Sequence, residues 1–153
     1  VLRFRPAYTK EKLGFIMSSS EELRQAGLKT TLPRLKILGI MEEAADQHFT
    51  AEDVYKRLLD TGEEIGLATV YRVLTQFEDA ELVIRHNFEG GRSVFELNDG
   101  HHHDHLVCVK CSKVIEFYNE GIEKLQDKVA EEHNFKLQEH SLVMYGMCES
   151  CST

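Results

Sequence analysis

The chain has 153 residues, 42% apolar and 29% charged, enough for one ordinary domain or two small ones with a buried core. Its 18 basic residues face 26 acidic ones, and a net charge of −8 argues against wholesale nucleic-acid affinity, which draws on Lys and Arg. Apolar runs are too short for a transmembrane helix or a signal-peptide core, so the four cysteines are expected as reduced thiols in the cytoplasm, available to metal.

Residues 1–16 lack clear periodicity and stop just before Met17; they read as a leader or upstream extension, or, being locally basic, as a basic arm. Ser18-Ser19-Ser20-Glu21-Glu22 offers an N-cap and first-turn acids for a short helix closed by Gly27. Thr31-Leu32-Pro33 opens a second helix, with Leu35, Ile37, Leu38 and Met41 on its apolar face and an end near Asp46. Thr50-Ala51-Glu52-Asp53 resembles a capping box, predicting a third helix that buries Val54 and Leu58 and ends before Gly62. A fourth is predicted over about Ala68–Ala80, with Val70, Val73, Leu74 and Phe77 inward. The period then changes to two: residues 82–88 and 92–97 read as strands joined by the Glu89-Gly90-Gly91 turn. Helices followed by a hairpin is the order of a winged helix-turn-helix, whose fourth helix would enter the major groove with the hairpin as wing. A small helical domain that binds protein would give the same pattern.

The second half reads as α+β. Leu106–Val109 and Val114–Phe117 are a predicted strand pair around Cys108-x-x-Cys111, and Ile122, Leu125 and Val129 mark one face of a helix from about Asn119 to His133. Lys136–Met147 alternates as a long strand before the last cysteine pair. The domain boundary falls near Asn98-Asp99-Gly100.

Charge and chemistry are unevenly placed. Arg24, Lys29, Arg34 and Lys36 stand in a stretch, residues 23–41, without any acid, and with Arg72 they form either a phosphate-facing stripe or an ordinary solvated face. Cys108-x-x-Cys111 and Cys148-x-x-Cys151 are two chelating pairs that together complete a closed, structural four-thiolate zinc site; two redox pairs or unrelated thiols are the alternatives. In the run His101-His102-His103-Asp104-His105, an extended backbone would send His101, His103 and His105 to one side and His102 and Asp104 to the other, so one segment could serve two metal sites. Such N and O donors suit Fe(II), Mn(II) or Zn(II), and a His-rich surface loop is the competing reading.

Taken together, Gly66-Leu67-Ala68-Thr69-Val70-Tyr71-Arg72-Val73-Leu74, the His86-Asn87-Phe88-Glu89-Gly90-Gly91 hairpin and His102-His103-Asp104-His105 resemble the ferric uptake regulator family, from Met17 to Cys151. The resemblance implies an α+β protein: a winged-helix DNA-binding domain over 17–97, a hinge over 98–104 and a dimerisation and metal-binding domain over 105–153. It implies a repressor of iron-uptake genes that binds an A·T-rich palindromic double-stranded DNA operator as a homodimer or tetramer, without a membrane partner or enzymatic activity. By the same resemblance His48, Glu96, His103 and His105, with Glu116 as a further ligand, would hold regulatory Fe(II), which Zn(II) or Mn(II) could replace in vitro. His102, Asp104, Glu123 and His140 would form a second metal site, and Cys108, Cys111, Cys148 and Cys151 would hold structural zinc. Tyr71 and Arg72, with Thr69, would face the major groove, Lys29 the minor groove and Arg34 a phosphate. Sister regulators that sense zinc, manganese or peroxide share this plan, and a non-haem metalloenzyme is a remoter alternative because two His and a carboxylate also make a facial triad.

Overall fold

A computed structural model describes residues 18–45 and 47–153; the expected leader at 1–16, Met17 and the predicted helix end at Asp46 lie outside the described residues. The chain divides into two units, the first ending at His101 and the second running from His102 to Thr153.

The first unit contains α1 (Ser19–Gln25), α2 (Leu32–Glu43), α3 (Ala51–Asp60), α4 (Leu67–Asp79), β1 (Val83–Asn87) and β2 (Ser93–Leu97). Local chemistry sets the helix starts. Ser18 and Glu21 form a reciprocal capping box at α1, Thr50 and Asp53 form another at α3, and Pro33 fits the first turn of α2, where no amide donor is needed. The α4 stripe Val70, Val73, Leu74 and Phe77 is buried against Ile37, Leu38, Met41, Val54 and Leu58. Its opposite stripe, Ala68, Tyr71, Arg72 and Thr75, is exposed, as the 3.6-residue period requires. β1 and β2 pair antiparallel, Ile84 opposite Glu96 and His86 opposite Val94, and the tip uses left-handed backbone at Gly90 and Gly91. A short bridge adds a third element: Phe49 N–H donates to Phe95 O at 2.9 Å, and Phe95 N–H returns to Phe49 O at 2.7 Å. This is the winged helix-turn-helix expected from the sequence.

The second unit contains β3 (Asp104–Cys108), β4 (Val114–Phe117), α5 (Glu120–Glu132), β5 (Val143–Gly146) and α6 (Glu149–Ser152). Its sheet has the order β4-β3-β5, with β3 antiparallel to β4 and parallel to β5, so β4 and α5 form the crossover. The predicted strand over Lys136–Met147 is corrected to Val143–Gly146. β3 offers pairing partners only from His105 to Cys108, and before Val143 the Leu142 N–H goes to the Asp104 carboxylate at 3.2 Å rather than to a ladder carbonyl. The last cysteine pair sits on a short helix, with Cys148 as its N-cap. Among the described residues no helix is long and apolar enough to cross a membrane.

Candidate metal centres and DNA-reading surface

The β3–β4 turn and the start of α6 bring together Cys108, Cys111, Cys148 and Cys151, all four sulfurs lying within 4.8 Å of one another. Zn–S bonds of about 2.3 Å in a tetrahedron place sulfurs about 3.8 Å apart; Cys111 Sγ and Cys148 Sγ are separated by 3.7 Å. The four residues therefore fit a zinc ion. The backbone N–H of Cys148 points at Cys108 Sγ from 3.4 Å, and with the amides of Cys111 and Lys110 it holds the Cys108 thiol down at about 6. Cys151 is pushed the other way, up to about 12, chiefly by its sulfur hydrogen bond with Cys148. A thiol so readily ionised is a suitable entry ligand for a divalent cation.

The second cluster joins the segment before β3, helix α5 and the loop before β5. His140 Nε2 lies 3.0 Å from Glu123 Oε2, and His102 Nε2 lies 3.4 Å from Glu123 Oε1 and 3.5 Å from Asp104 Oδ1. Asp104 is 1% exposed, and among the described residues its Oδ2 accepts no hydrogen bond. His102, Glu123 and His140 bring their donor atoms within 4.8 Å of one another, a set that suits a divalent cation, while Asp104, expected as a fourth ligand, borders the group through His102 alone.

His103 and His105 point to the other side of this segment, where Glu116 of β4 joins them. His105 stands opposite Glu116 in the β3–β4 register, the two imidazoles meet edge to face with centroids 5.1 Å apart, and His103 Nε2 is 3.7 Å from Glu116 Oε1. The His cluster is thus split into the two groups argued from strand alternation, although the strand itself begins only at Asp104. His101 is exposed and joins neither group.

In the first unit the Phe49–Phe95 bridge fixes the neighbouring pair. In an antiparallel register the residue before Phe49 faces the residue after Phe95, so His48 meets Glu96 with Nε2 and Oε2 2.8 Å apart. Two donors sharing one cation at about 2.1 Å each would stand roughly this far apart. A third residue joins them. His86, diagonal to Glu96 across β1 and β2, has Nε2 2.7 Å from Glu96 Oε1.

On the DNA side, Tyr71 and Arg72 are exposed on α4, with Thr69 half-buried beside them and Lys29 exposed in the loop before α2. The Tyr71 hydroxyl donates to Glu52 at 2.7 Å, and that hydrogen bond raises its pKa. Arg34 is half-buried and already engaged. Its Nε and Nη2 donate to Gln76 Oε1 at 3.2 and 2.9 Å, and its Nη1 donates to Lys29 O at 2.8 Å. Lys36, counted in the basic stripe, pairs with Glu63 at 2.6 Å. The stretch around Lys36 lacks acids in sequence, but α3 is followed by one in space.

Sequence reasoning missed His86, Glu52 and Gln76 as partners of expected site residues. For His86 a signal existed, since it falls two positions from the Glu96 partner in a hairpin centred on Gly90. Glu52 and Gln76 reach their partners only through helix packing, which no local pattern encodes.

The sequence profile of the ferric uptake regulator family matches residues 25–145. The chain is 62% identical over 132 residues to the ferric uptake regulation protein of Yersinia pestis, covering 86% of this chain and 89% of that one. It is similar to the crystal structure of the Vibrio cholerae ferric uptake regulator, described as revealing structural rearrangement of the DNA-binding domains (TM-score 0.79, 58% identity, 84% of this chain and 98% of that one). It is also similar to the Francisella tularensis ferric uptake regulator solved with iron (TM-score 0.80, 42% identity, 83% and 96%).

Proposed function

The chain belongs to the ferric uptake regulator family, and on that premise we propose that it is an Fe(II)-dependent transcriptional repressor of iron-uptake genes. It binds an A·T-rich palindromic operator as a dimer once its regulatory metal site is filled. The carrying observation is that the winged-helix unit holds metal donors of its own, His48 and Glu96, 2.8 Å apart. In this reading they share the regulatory ion with His103, His105 and Glu116, which follow the hinge at 98–104. Fe(II) would supply a divalent charge that N and O donors both favour.

The protein's own residues do the rest. His48 and Glu96 belong to the unit that carries Tyr71 and Arg72, so joining them to His103 and His105 restricts the angle of the recognition helix. In a dimer it thereby sets the spacing of two recognition helices against two operator half-sites. Metal and operator affinity are then coupled, typically by about 1–3 kcal/mol, and each ligand tightens the other. Tyr71 packs on thymine methyls, Lys29 enters the narrow A·T minor groove, Arg72 and Thr69 support the major-groove contact, and Arg34 meets a phosphate through the two donors its internal bonds leave over. Dimerisation by residues 105–153 is supported by an apolar row on one sheet face: Leu106, Ile115 and Met144 are cross-strand neighbours, each about 40% exposed. Four free thiols fit a reducing cytoplasm. The second cluster and the four-cysteine site belong to the dimerisation domain in this reading, the latter as structural zinc.

The test is anaerobic fluorescence anisotropy on an A·T-rich palindromic duplex at fixed salt, with protein that retains its thiolate-bound zinc. Fe(II) at micromolar free concentration is expected to switch binding on, and His48→Ala to abolish that response. Binding switched on by Zn(II) alone would instead identify a zinc sensor, and His48→Ala protein with full metal dependence would overturn the proposed ligand set.

A further inference from the structure

Glu96 is held from both ends. His48 Nε2 meets Oε2 at 2.8 Å and His86 Nε2 meets Oε1 at 2.7 Å. The two histidines come from different places in the chain: His48 from the bridge before α3, His86 from the wing strand β1. His86 is itself braced, its ring stacked at 2° on Phe88 with centroids 5.5 Å apart, and Phe88 is buried at the end of β1. The interaction is a diagonal cross-strand pair, so the register of the hairpin fixes it.

A carboxylate can bind a cation through one oxygen or through both. A charge-assisted hydrogen bond from an imidazole N–H occupies one oxygen and leaves the other to ligate. We propose that His86 is a positioning residue for the regulatory metal: by donating from Nε2 to Glu96 Oε1 it keeps that carboxylate monodentate through Oε2, and it makes wing strand β1 part of the metal-responsive unit. This inference rests on Glu96 being a ligand, as proposed above. Partners that orient metal ligands commonly govern about 10- to 100-fold of metal affinity. The braced ring also gives metal occupancy a route to the hairpin that flanks the DNA. With an ion held at Glu96, the His86 bond would couple that carboxylate to β1, next to the tip.

The experiment uses the full chain with its thiolate-bound zinc in place, comparing the parent with His86→Ala, His86→Gln and Glu96→Ala. Co(II) is the probe, because its ligand-field absorption reports coordination number and geometry, and the difference between parent and Glu96→Ala isolates the regulatory site. His86→Ala is expected to weaken Co(II) binding there by about 10- to 100-fold, to alter the band shape, and to raise by the same factor the Mn(II) needed for operator binding. Glutamine, whose side-chain nitrogen stands near the place of Nε2, is expected to restore affinity to within about threefold of the parent, which also separates positioning from loss of folding. An unchanged spectrum and affinity in His86→Ala, with binding lost in Glu96→Ala, would overturn the role of His86 and leave the functional reading standing. A loss in His86→Ala as deep as in Glu96→Ala, not restored by glutamine, would make His86 a ligand and also overturn it. No effect of Glu96→Ala would overturn the ligand set itself.

Discussion

Replacing Arg34 with lysine separates the tethering that this side chain performs from the phosphate contact proposed for it. The guanidinium ties α2 to α4 through two bonds to Gln76 Oε1 and ties the Lys29 loop to α2 through its bond to Lys29 O. Lysine keeps the charge but offers a single point donor, and can replace one of the three contacts. A hydrogen bond from a charged group contributes about 1.5–3 kcal/mol when well buried, and near zero to 1 kcal/mol when exposed. The Gln76 contacts are half-buried and the Lys29 contact is exposed, so the net loss should be about 1–2 kcal/mol, a factor of roughly 5–30 in the folded-to-unfolded ratio. Denaturant unfolding of the winged-helix unit measures this. Operator binding over a salt series tests the proposed contact. Arg34→Lys should preserve the salt slope, whereas Arg34→Met should lower it by about 1 per protomer, the signature of one lost phosphate contact. If Arg34→Lys were as stable as the parent, the tether argument would be wrong.

Further outcomes follow from the same geometry. Leu106→Asp puts a charge in the centre of the Ile115–Leu106–Met144 row and should convert a dimer to a monomer in sedimentation at micromolar concentration; a dimer that persists would place the interface elsewhere. Tyr71→Phe loses only the exposed bond to Glu52 and should leave stability within about 0.5 kcal/mol. Replacing the thymine that Tyr71 is proposed to contact by deoxyuridine should cost the parent about 0.8 kcal/mol, one buried methyl, and cost a Tyr71→Ala protein nothing. In zinc-free protein, thiolate absorbance should rise as pH passes about 6 and be lost in Cys108→Ser, whereas an ordinary thiol would rise near 9. Because the folded state lowers this acid, the stability it confers is complete above 9 and lost as pH falls through about 6.

What the sequence made legible was mostly local. The capping boxes at Ser18 and Thr50, the Val70–Phe77 stripe and the two-glycine turn act within a few residues, so pattern alone locates α1, α3, α4 and the wing. The two CxxC pairs were legible because chelation imposes its own spacing. Lys136–Met147 misled because alternating residues need a partner strand, and β3 is too short to supply one along that whole length. The partners of Arg34 and Lys36 are invisible in the sequence because Gln76 and Glu63 lie 42 and 27 positions away and meet them only through helix packing. His86 sits between these cases, its partner being fixed by hairpin register and visible once the turn is placed.

The bridge between Phe49 and Phe95 has a consequence for how such a protein can change. It pins the inner edge of the hairpin independently of the tip at residues 89–92, so His48 and Glu96 stay opposite each other whatever the length of that tip. Insertions or deletions there that keep the β1–β2 register, and with it the His86–Glu96 pair, could retune the proposed contact with the sugar–phosphate backbone while leaving the threshold for metal untouched. A single-residue insertion between Ser93 and Glu96 would do the reverse, rotating Glu96 toward the core and Phe95 out of it. Sequence drift in this lineage is therefore expected to be free at the tip and frozen within a few ångströms of the bridge.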